Sequence, residues 1–572
     1  MVPAASLTPL MRLLLAALAL AATTALAAPQ SSSATAPRQS SSPTTSSSAA
    51  PAFTLPNTLT DAGPRANGFT VWHSAPVPAS WPVIFSAAPP NLDLSNRNNP
   101  SIDSEPFVFT WTFSPQPNTP PQPAACTIAG MPFVSPCVGR VVEFTFAGAG
   151  DFTAQCIVTR GNERVGVLTV PITIQRPGSG ADRQRATRRE FRDLHPADWS
   201  RFVSAAMGLK ALRIWDHMSL THAMTFLNTS GGMPGASPRT SAHSSPAFLT
   251  WHRVYVRIFE RLFEKILGDE SFGLPFQLST DHPNLAWLRS FRPSAASPYP
   301  LFTDKYVGPS GDLARGSAVP SGPFCSTNSG SSACTSKWEY PQRLGLGTTF
   351  VQRALGNATN VRLPTAEQVA LMMDLTEYDV APFDSAKFVG AFAMGGGPFG
   401  GMHNDVHRWI GGTMLNVRYS ILDPVFLLHH NNVERLFYLW QKQHSCQVAS
   451  CWRPRTSDLN GMADLPGVVA TRSGLRLRGH MIDDEMHPWR IRHQDVWGAD
   501  GVSDYVYADP KVAGPPPGNL ADPATRGAGG SDKNSTRSGS TVFDRPSAAM
   551  TRWSVGMAGV LATAVSLMAS VV

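Results

Sequence analysis

At 572 residues the chain is too long for one ordinary hydrophobic core and implies two or three domains. Hydrophobic residues at 42% against 15% charged residues exclude a wholly disordered chain, while 50 prolines and 46 glycines indicate much loop and linker. The net charge of +7 is interleaved with acids rather than gathered into a basic stripe, which gives no basis for nucleic-acid binding.

Residues 1–27 read as a secretory signal, in which Arg12 precedes the apolar run Leu13–Ala22 and Ala25-Leu26-Ala27 offers a small-residue cleavage site. Residues 28–52 are a spacer rich in Ser, Thr, Pro and Ala. From 53 to 178 the pattern has period two: Phe107, Phe109, Trp111 and Phe113, then Val142, Phe144 and Phe146, then Phe152, Ala154, Cys156 and Val158. "RGNER" marks a turn before "VGVLTVPITIQ". This predicts a β-sandwich domain, loosely immunoglobulin-like because a tryptophan strand is followed by a cysteine strand. His73 is its only histidine and reads as structural.

Export permits disulfides. Cys325 with Cys334 and Cys446 with Cys451 are close enough for local staples, whereas Cys126, Cys137 and Cys156 cannot all pair with one another and leave one thiol over. Glycosylation sequons stand at Asn228, Asn357 and Asn534.

"RPGSGADRQ" (176–184) is a linker, after which the periodicity turns helical, with Pro196 marking a helix start. "WDHMSLTHAMTFL" carries His222, and His243 stands before the next helix. His252 heads an amphipathic helix and shares a face with Tyr255, Phe259, Leu262 and Ile266. "GGMHNDVHRWIGG" sets His403 and His407 one turn apart, and His430 shares a face with Val433, Phe437 and Trp440. A buried imidazole without a partner is costly, and six converging on one core are hard to satisfy except with metal. An all-imidazole set suits copper, and zinc less specifically. Two sets of three on facing helices predict a multidomain, mainly α protein whose four-helix-bundle core holds a binuclear metal site.

Residues 511–540 form a disordered tether. In 541–572, an uncharged run from 553 follows a polar spacer and the small residues Ser538-Gly539-Ser540, the layout of a GPI-attachment signal, with a membrane anchor as the rival. Either predicts a secreted protein tethered to a cell surface or wall.

These motifs resemble those of the tyrosinase, catechol oxidase and hemocyanin group of type 3 binuclear copper proteins, in a fungal-like secreted form. "HSSPAFLTWHR" is similar to the first copper motif, and "HNDVHRWIGG" with "DPVFLLHHNNVERL" to the second. "YVY" at 505–507 is similar to the tyrosine motif that closes the catalytic domain, here placed at 182–510. The resemblance implies one copper on His222, His243 and His252, a second on His403, His407 and His430, dioxygen as oxidant, and oxidation of phenols and o-diphenols to o-quinones. It also implies that His429 packs beside the site, Asn404 orients a water or proton, Val417 stands at the substrate mouth, and Tyr505 and Tyr507 are structural. His217 reads as a bystander to the metal, and His195, His282, His444, His480, His487 and His493 as surface or structural residues.

Departures from the family pattern matter. Where many phenol-hydroxylating members carry a glutamate before the His-Asn pair, "FVGAFAMGGGPFGGMHN" has Ala393 or Met394 and no carboxylate, which disfavours monophenols. Val417 stands where plant catechol oxidases place a bulky phenylalanine, "PFQLSTD" (275–281) replaces "PYWDW", and Ser241 excludes a thioether crosslink. Glu434 replaces a common aspartate. The β-domain, an extra module, would cover the copper mouth until cleaved at 176–184. Alternatives are a diphenol-only catechol oxidase, an o-aminophenol oxidase, an oxygen carrier, and an inactive cell-surface copper-binding protein. A pigment or wall-crosslinking role follows from the enzyme reading.

Overall fold

The computed structural model describes residues 69–88, 107–119, 124–128, 131–133, 137–176, 185–225, 242–243, 247–277, 300–334, 336, 338–341, 348–357, 361, 363–380, 402–445, 452–453, 468–471, 474–477, 482–497 and 504–508. The segments read as signal, spacer, tether and C-terminal anchor lie outside these residues, as do Asn228, Asn534, Cys446, Cys451, His282, His480, Ser241 and the Ala393/Met394 stretch.

Among the described residues ten strands form the N-terminal β-region: β1 (Thr70–His73), β2 (Val77–Pro78), β3 (Pro82–Ala88), β4 (Phe107–Pro115), β5 (Ala124–Ile128), β6 (Met131–Phe133), β7 (Cys137–Val138), β8 (Val141–Phe146), β9 (Gly150–Arg160) and β10 (Glu163–Gln175). They make two five-stranded sheets, ordered β1-β3-β8-β5-β6 and β2-β10-β9-β4-β7. The alternating residues of β4, β8 and β9 meet in one core, with Phe85 5.5 Å from Trp111 and Phe113 stacked 3.8 Å from Phe144. Trp111 lies opposite Cys156 across β4 and β9. Cys137 is disulfide-bonded, and among the described residues Cys156 is a free, buried thiol, as the odd count allows.

Period two leads one to expect a sheet with one wet face, but β3 and β8 are buried along their whole length. Val83, Phe85, Val142 and Phe144 face the sandwich core, whereas Trp72, Ile84 and Val141 join the core of the helical region. The sheet's second face packs on the helical region.

Among the described residues that region has six helices: α1 (Pro196–Ala211), α2 (Ile214–Met224), α3 (Phe248–Leu267), α4 (Ala366–Met373), α5 (Met402–Ile410) and α6 (Val425–Gln443). α1 starts where Pro196 predicts, and the Nδ1 of His195 caps it by accepting from the Ala197 amide at 3.2 Å. The apolar stripe of α3 is buried as expected, but so is its opposite face: Arg253, Arg257, Glu260 and Glu264 are all buried and mutually or externally paired. The helix is amphipathic as expected, and ion pairing lets its charged face pack inward as well.

Short strand pairs join β12 (Asp379–Val380) to β13 (Trp452–Arg453) and β14 (Val468–Thr471) to β15 (Gly474–Leu477). β11 (Ala186–Arg188) runs parallel to β16 (Tyr505–Tyr507), tying the start of the helical region to its end. Cys325 and Cys334 form the expected local disulfide.

Candidate metal centre

α2 presents His222 near its C-terminus, the segment before α3 presents His243, and the first turns of α3 present His252. All three are buried, with ring centroids 4.9 Å (His222–His243), 5.0 Å (His243–His252) and 5.8 Å (His222–His252) apart. α5 presents His403 and His407 on one face, and α6 brings His430 against them. Their Nε2 atoms form a triangle with sides of 3.0 Å (His403–His407), 3.2 Å (His403–His430) and 3.3 Å (His407–His430). The two sets adjoin: the rings of His252 and His430 stack at 4.4 Å. Phe426 stacks on His430 at 4.0 Å and lies 5.3 Å from His222, while Phe248 lies 4.7 Å from His252 and 4.8 Å from His403.

Four of the six Nδ1 atoms face an oxygen that can take their proton, which fixes the tautomer and frees Nε2 as a ligand atom, whereas His430 Nδ1 is buried without a hydrogen-bond partner. His252 Nδ1 donates to the Phe248 carbonyl at 2.8 Å, His407 Nδ1 to the Met414 carbonyl at 2.8 Å, and His222 Nδ1 to the Arg418 carbonyl at 3.3 Å. His403 Nδ1 donates to Asn404 Oδ1 at 2.8 Å, so this side chain orients a ligand directly. Met414 and Arg418 belong to one segment, so a single loop orients one imidazole of each set. Gly411 (φ 68°) and Gly412 (φ 55°) start that loop, and a Cβ on Gly412 would overlap the Gln352 carbonyl.

Burial makes these imidazoles poor bases. It lowers His222 to about 3 and His407 to about 4, the latter against the Met414 carbonyl bond, and it holds His243, His252, His403 and His430 well below the usual histidine range. Neutral imidazole is the metal-binding form.

The donor set fits metal. With Nδ1 donating in both His403 and His407, their Nε2 lone pairs face each other across 3.0 Å, an arrangement that repels unless a cation sits between them. The three nitrogens lie on a circle of radius about 1.8 Å, close to a metal–imidazole bond of about 2.0 Å. His252 Nε2 is buried without a hydrogen-bond partner, as a ligand nitrogen awaiting metal would be. His429 also lies in the second set, stacked on His403 at 5.1 Å, but it is His430 whose Nε2 completes the close triangle.

Behind the site, Glu434 on α6 accepts from Arg253 Nε at 2.9 Å and from the Tyr505 hydroxyl at 2.6 Å. Tyr507 donates to Asn431 Oδ1 at 2.9 Å and accepts from Arg188, whose guanidinium grips Glu260 at 2.7 and 2.9 Å. Tyr505 and Tyr507 thus bolt β16 to α3 and α6. Val417 is half-buried and, with Gly412, Leu415, Asn416, Arg418 and Tyr419, lines a cleft of about 710 Å³. Asn357 is exposed.

His217 does not join the metal sets. It is buried 3.5 Å from Glu143 of β8. His493 is fully buried, its Nδ1 2.7 Å from the Thr250 hydroxyl. Sequence reading missed Glu143, the loop carbonyls of Met414 and Arg418, and Phe426 between the sets. Only the Phe248 carbonyl, four residues before His252 on a helix, was legible in the spacing.

The family model of the common central domain of tyrosinase matches residues 212–443. A polyphenol oxidase structure from Thermothelomyces thermophila is similar at 19% identity and a TM-score of 0.39, covering 57% of this chain and 90% of that one. Tyrosinase of Streptomyces glaucescens is 33% identical over 263 residues, 46% of this chain and 85% of that enzyme. Tyrosinase of Streptomyces lincolnensis is 31% identical over 290 residues, 50% of this chain and 87% of that enzyme. Identity at that level over most of a bacterial enzyme, with two buried imidazole sets inside the matched region, means that the chain belongs to the tyrosinase family of binuclear copper oxidoreductases.

Proposed function

We propose that the protein oxidises phenols, and o-diphenols above all, to o-quinones with dioxygen, with one copper on His222, His243 and His252 and the other on His403, His407 and His430. The carrying observation is the pair of adjoining, buried, all-imidazole sets whose nitrogens converge as neutral ligands. When bound, the metal pair supplies dioxygen binding and accepts the substrate's electrons. The chain's own part is positional: carbonyls of Phe248, Met414 and Arg418 and the Asn404 amide aim the imidazoles, and Phe248 and Phe426 keep water from between the sets. The cleft at Val417 is open enough for a substituted phenol ring.

A diphenol-only reading is favoured by the absence of a carboxylate in "FVGAFAMGGGPFGGMHN". Oxygen uptake by the copper-loaded protein, with catechol and then a matched monophenol, tests both. Uptake with catechol alone selects the diphenol reading, and uptake with neither overturns the proposal.

We also infer secretion through residues 1–27, tethering through 541–572, and a pigment or wall-crosslinking role, each resting on sequence pattern. The helical region, read as 182–510, is proposed as a four-helix bundle around the metals. The β-domain, read as 53–178, is proposed as immunoglobulin-like. In support, Trp111 packs beside Cys156, and Phe85 stands on the facing sheet where that fold places a second cysteine.

A further inference from the structure

The β-domain meets the helical region at the joint between α1 and α2. α1 ends with carbonyls that no helical amide can satisfy. Two of them are met from the β-domain: Ser86 Oγ donates to the Leu212 carbonyl at 2.7 Å, and the Arg140 guanidinium to the Ala211 carbonyl at 3.4 Å. A cation at a helix C-terminus also complements the helix dipole. The joint itself is held in an uncommon conformation, with Arg213 at φ 62°.

Just beyond it, Glu143 on β8 reaches His217 on α2, oxygen to Nε2 at 3.5 Å, with both side chains almost wholly buried. Neither Glu143 oxygen has a hydrogen-bond partner, so the carboxylate is seated there at a cost. Trp72, Ile84 and Val141 complete the contact by entering the helical core, and the Arg261 guanidinium lies 4.2 Å over the Trp81 ring. α2 also carries His222 five residues after His217 and receives the Tyr255 hydroxyl on the Met218 carbonyl. The ring neighbours of the six imidazoles described above all belong to the helical region.

We propose that the β-domain is a permanent clamp on the α1–α2 joint, not a removable cover. It stays bound when the connecting chain is cut, and Glu143 against His217 sets the position of α2 so that His222 faces His243 and His252. The second clause rests on the ligand reading above; the first does not, since it is read from protein association alone.

The test uses the full-length, copper-loaded protein with a protease site placed within 176–184. After cutting, the two pieces are expected to co-elute on size exclusion with copper retained. Separation into a free β-domain and a helical piece would overturn the clamp, whether or not the helical piece keeps its coppers. Glu143→Leu and His217→Leu, alone and together, test positioning. Each single variant is expected to lose one copper to a competing chelator about 10-fold more readily, leaving a lone Cu(II) visible by EPR, and the double variant to recover most of that loss. Single variants that hold both coppers as tightly as the parent, or a double variant worse than either, would overturn it. The double variant keeps the test decisive if a single variant fails to fold.

Discussion

At the scale of single residues, the chemistry of this centre depends on where a proton sits on each imidazole. Asn404 holds the His403 proton on Nδ1 at 2.8 Å, leaving Nε2 to the metal. Asn404→Leu removes that acceptor and is expected to weaken copper binding at the second set by about 10–100-fold, measured by chelator competition on the apo-protein. An unchanged affinity would show that the Asn404 contact is incidental. His403→Ala removes a ligand nitrogen itself: copper per chain should fall from two to one, and catechol-dependent oxygen uptake to background. His429, stacked on His403 but outside the close triangle, should tolerate His429→Gln with both coppers retained.

At the scale of elements, α3, α6 and β16 are joined by charge buried inside the fold. Arg253 is fully buried and donates to Glu434, Gln441 and the carbonyls of Val496 and Trp497. Glu434→Ala would leave that guanidinium without its counter-charge, a loss of about 3–5 kcal/mol of stability by denaturant titration. Tyr505→Phe deletes one hydrogen bond to a charged acceptor and should cost about 1.5–3 kcal/mol. A smaller loss for Glu434→Ala than for Tyr505→Phe would contradict this account of the network. The longer side chain of Glu434, a departure from the family pattern, is here the one that reaches both Arg253 and Tyr505.

At the scale of the whole molecule, burying so many neutral imidazoles links stability to pH. Unfolded histidines titrate near 6.5, whereas folded His407 and His222 wait until about 4 and about 3. Between those values the unfolded chain binds more protons than the folded one, so stability falls as pH drops below about 6.5, by about 1.4 kcal/mol per pH unit for each such histidine. The same protons compete with copper. The urea midpoint of the apo-protein should be level above pH 7 and decline steeply towards pH 5, with copper release over the same range. A flat midpoint would mean that the imidazoles are not buried neutral.

The sequence alone singled out the six histidines proposed as ligands and the switch from alternating to helical periodicity along the chain. The i,i+4 spacing of His403 and His407, the apolar faces of His252 and His430, and the alternation in β4, β8 and β9 are local periodicities, and local periodicity survives without coordinates. It also marked Pro196 as a helix start and left one cysteine over. Only the tertiary structure decided what lies across an interface. The second buried face of the first sheet, the paired charged face of α3, the loop carbonyls that aim His222 and His407, and Glu143 against His217 all join residues distant in sequence. No periodicity encodes such pairings, because they exist only once two separately patterned surfaces are brought together and the polar groups on them must find one another.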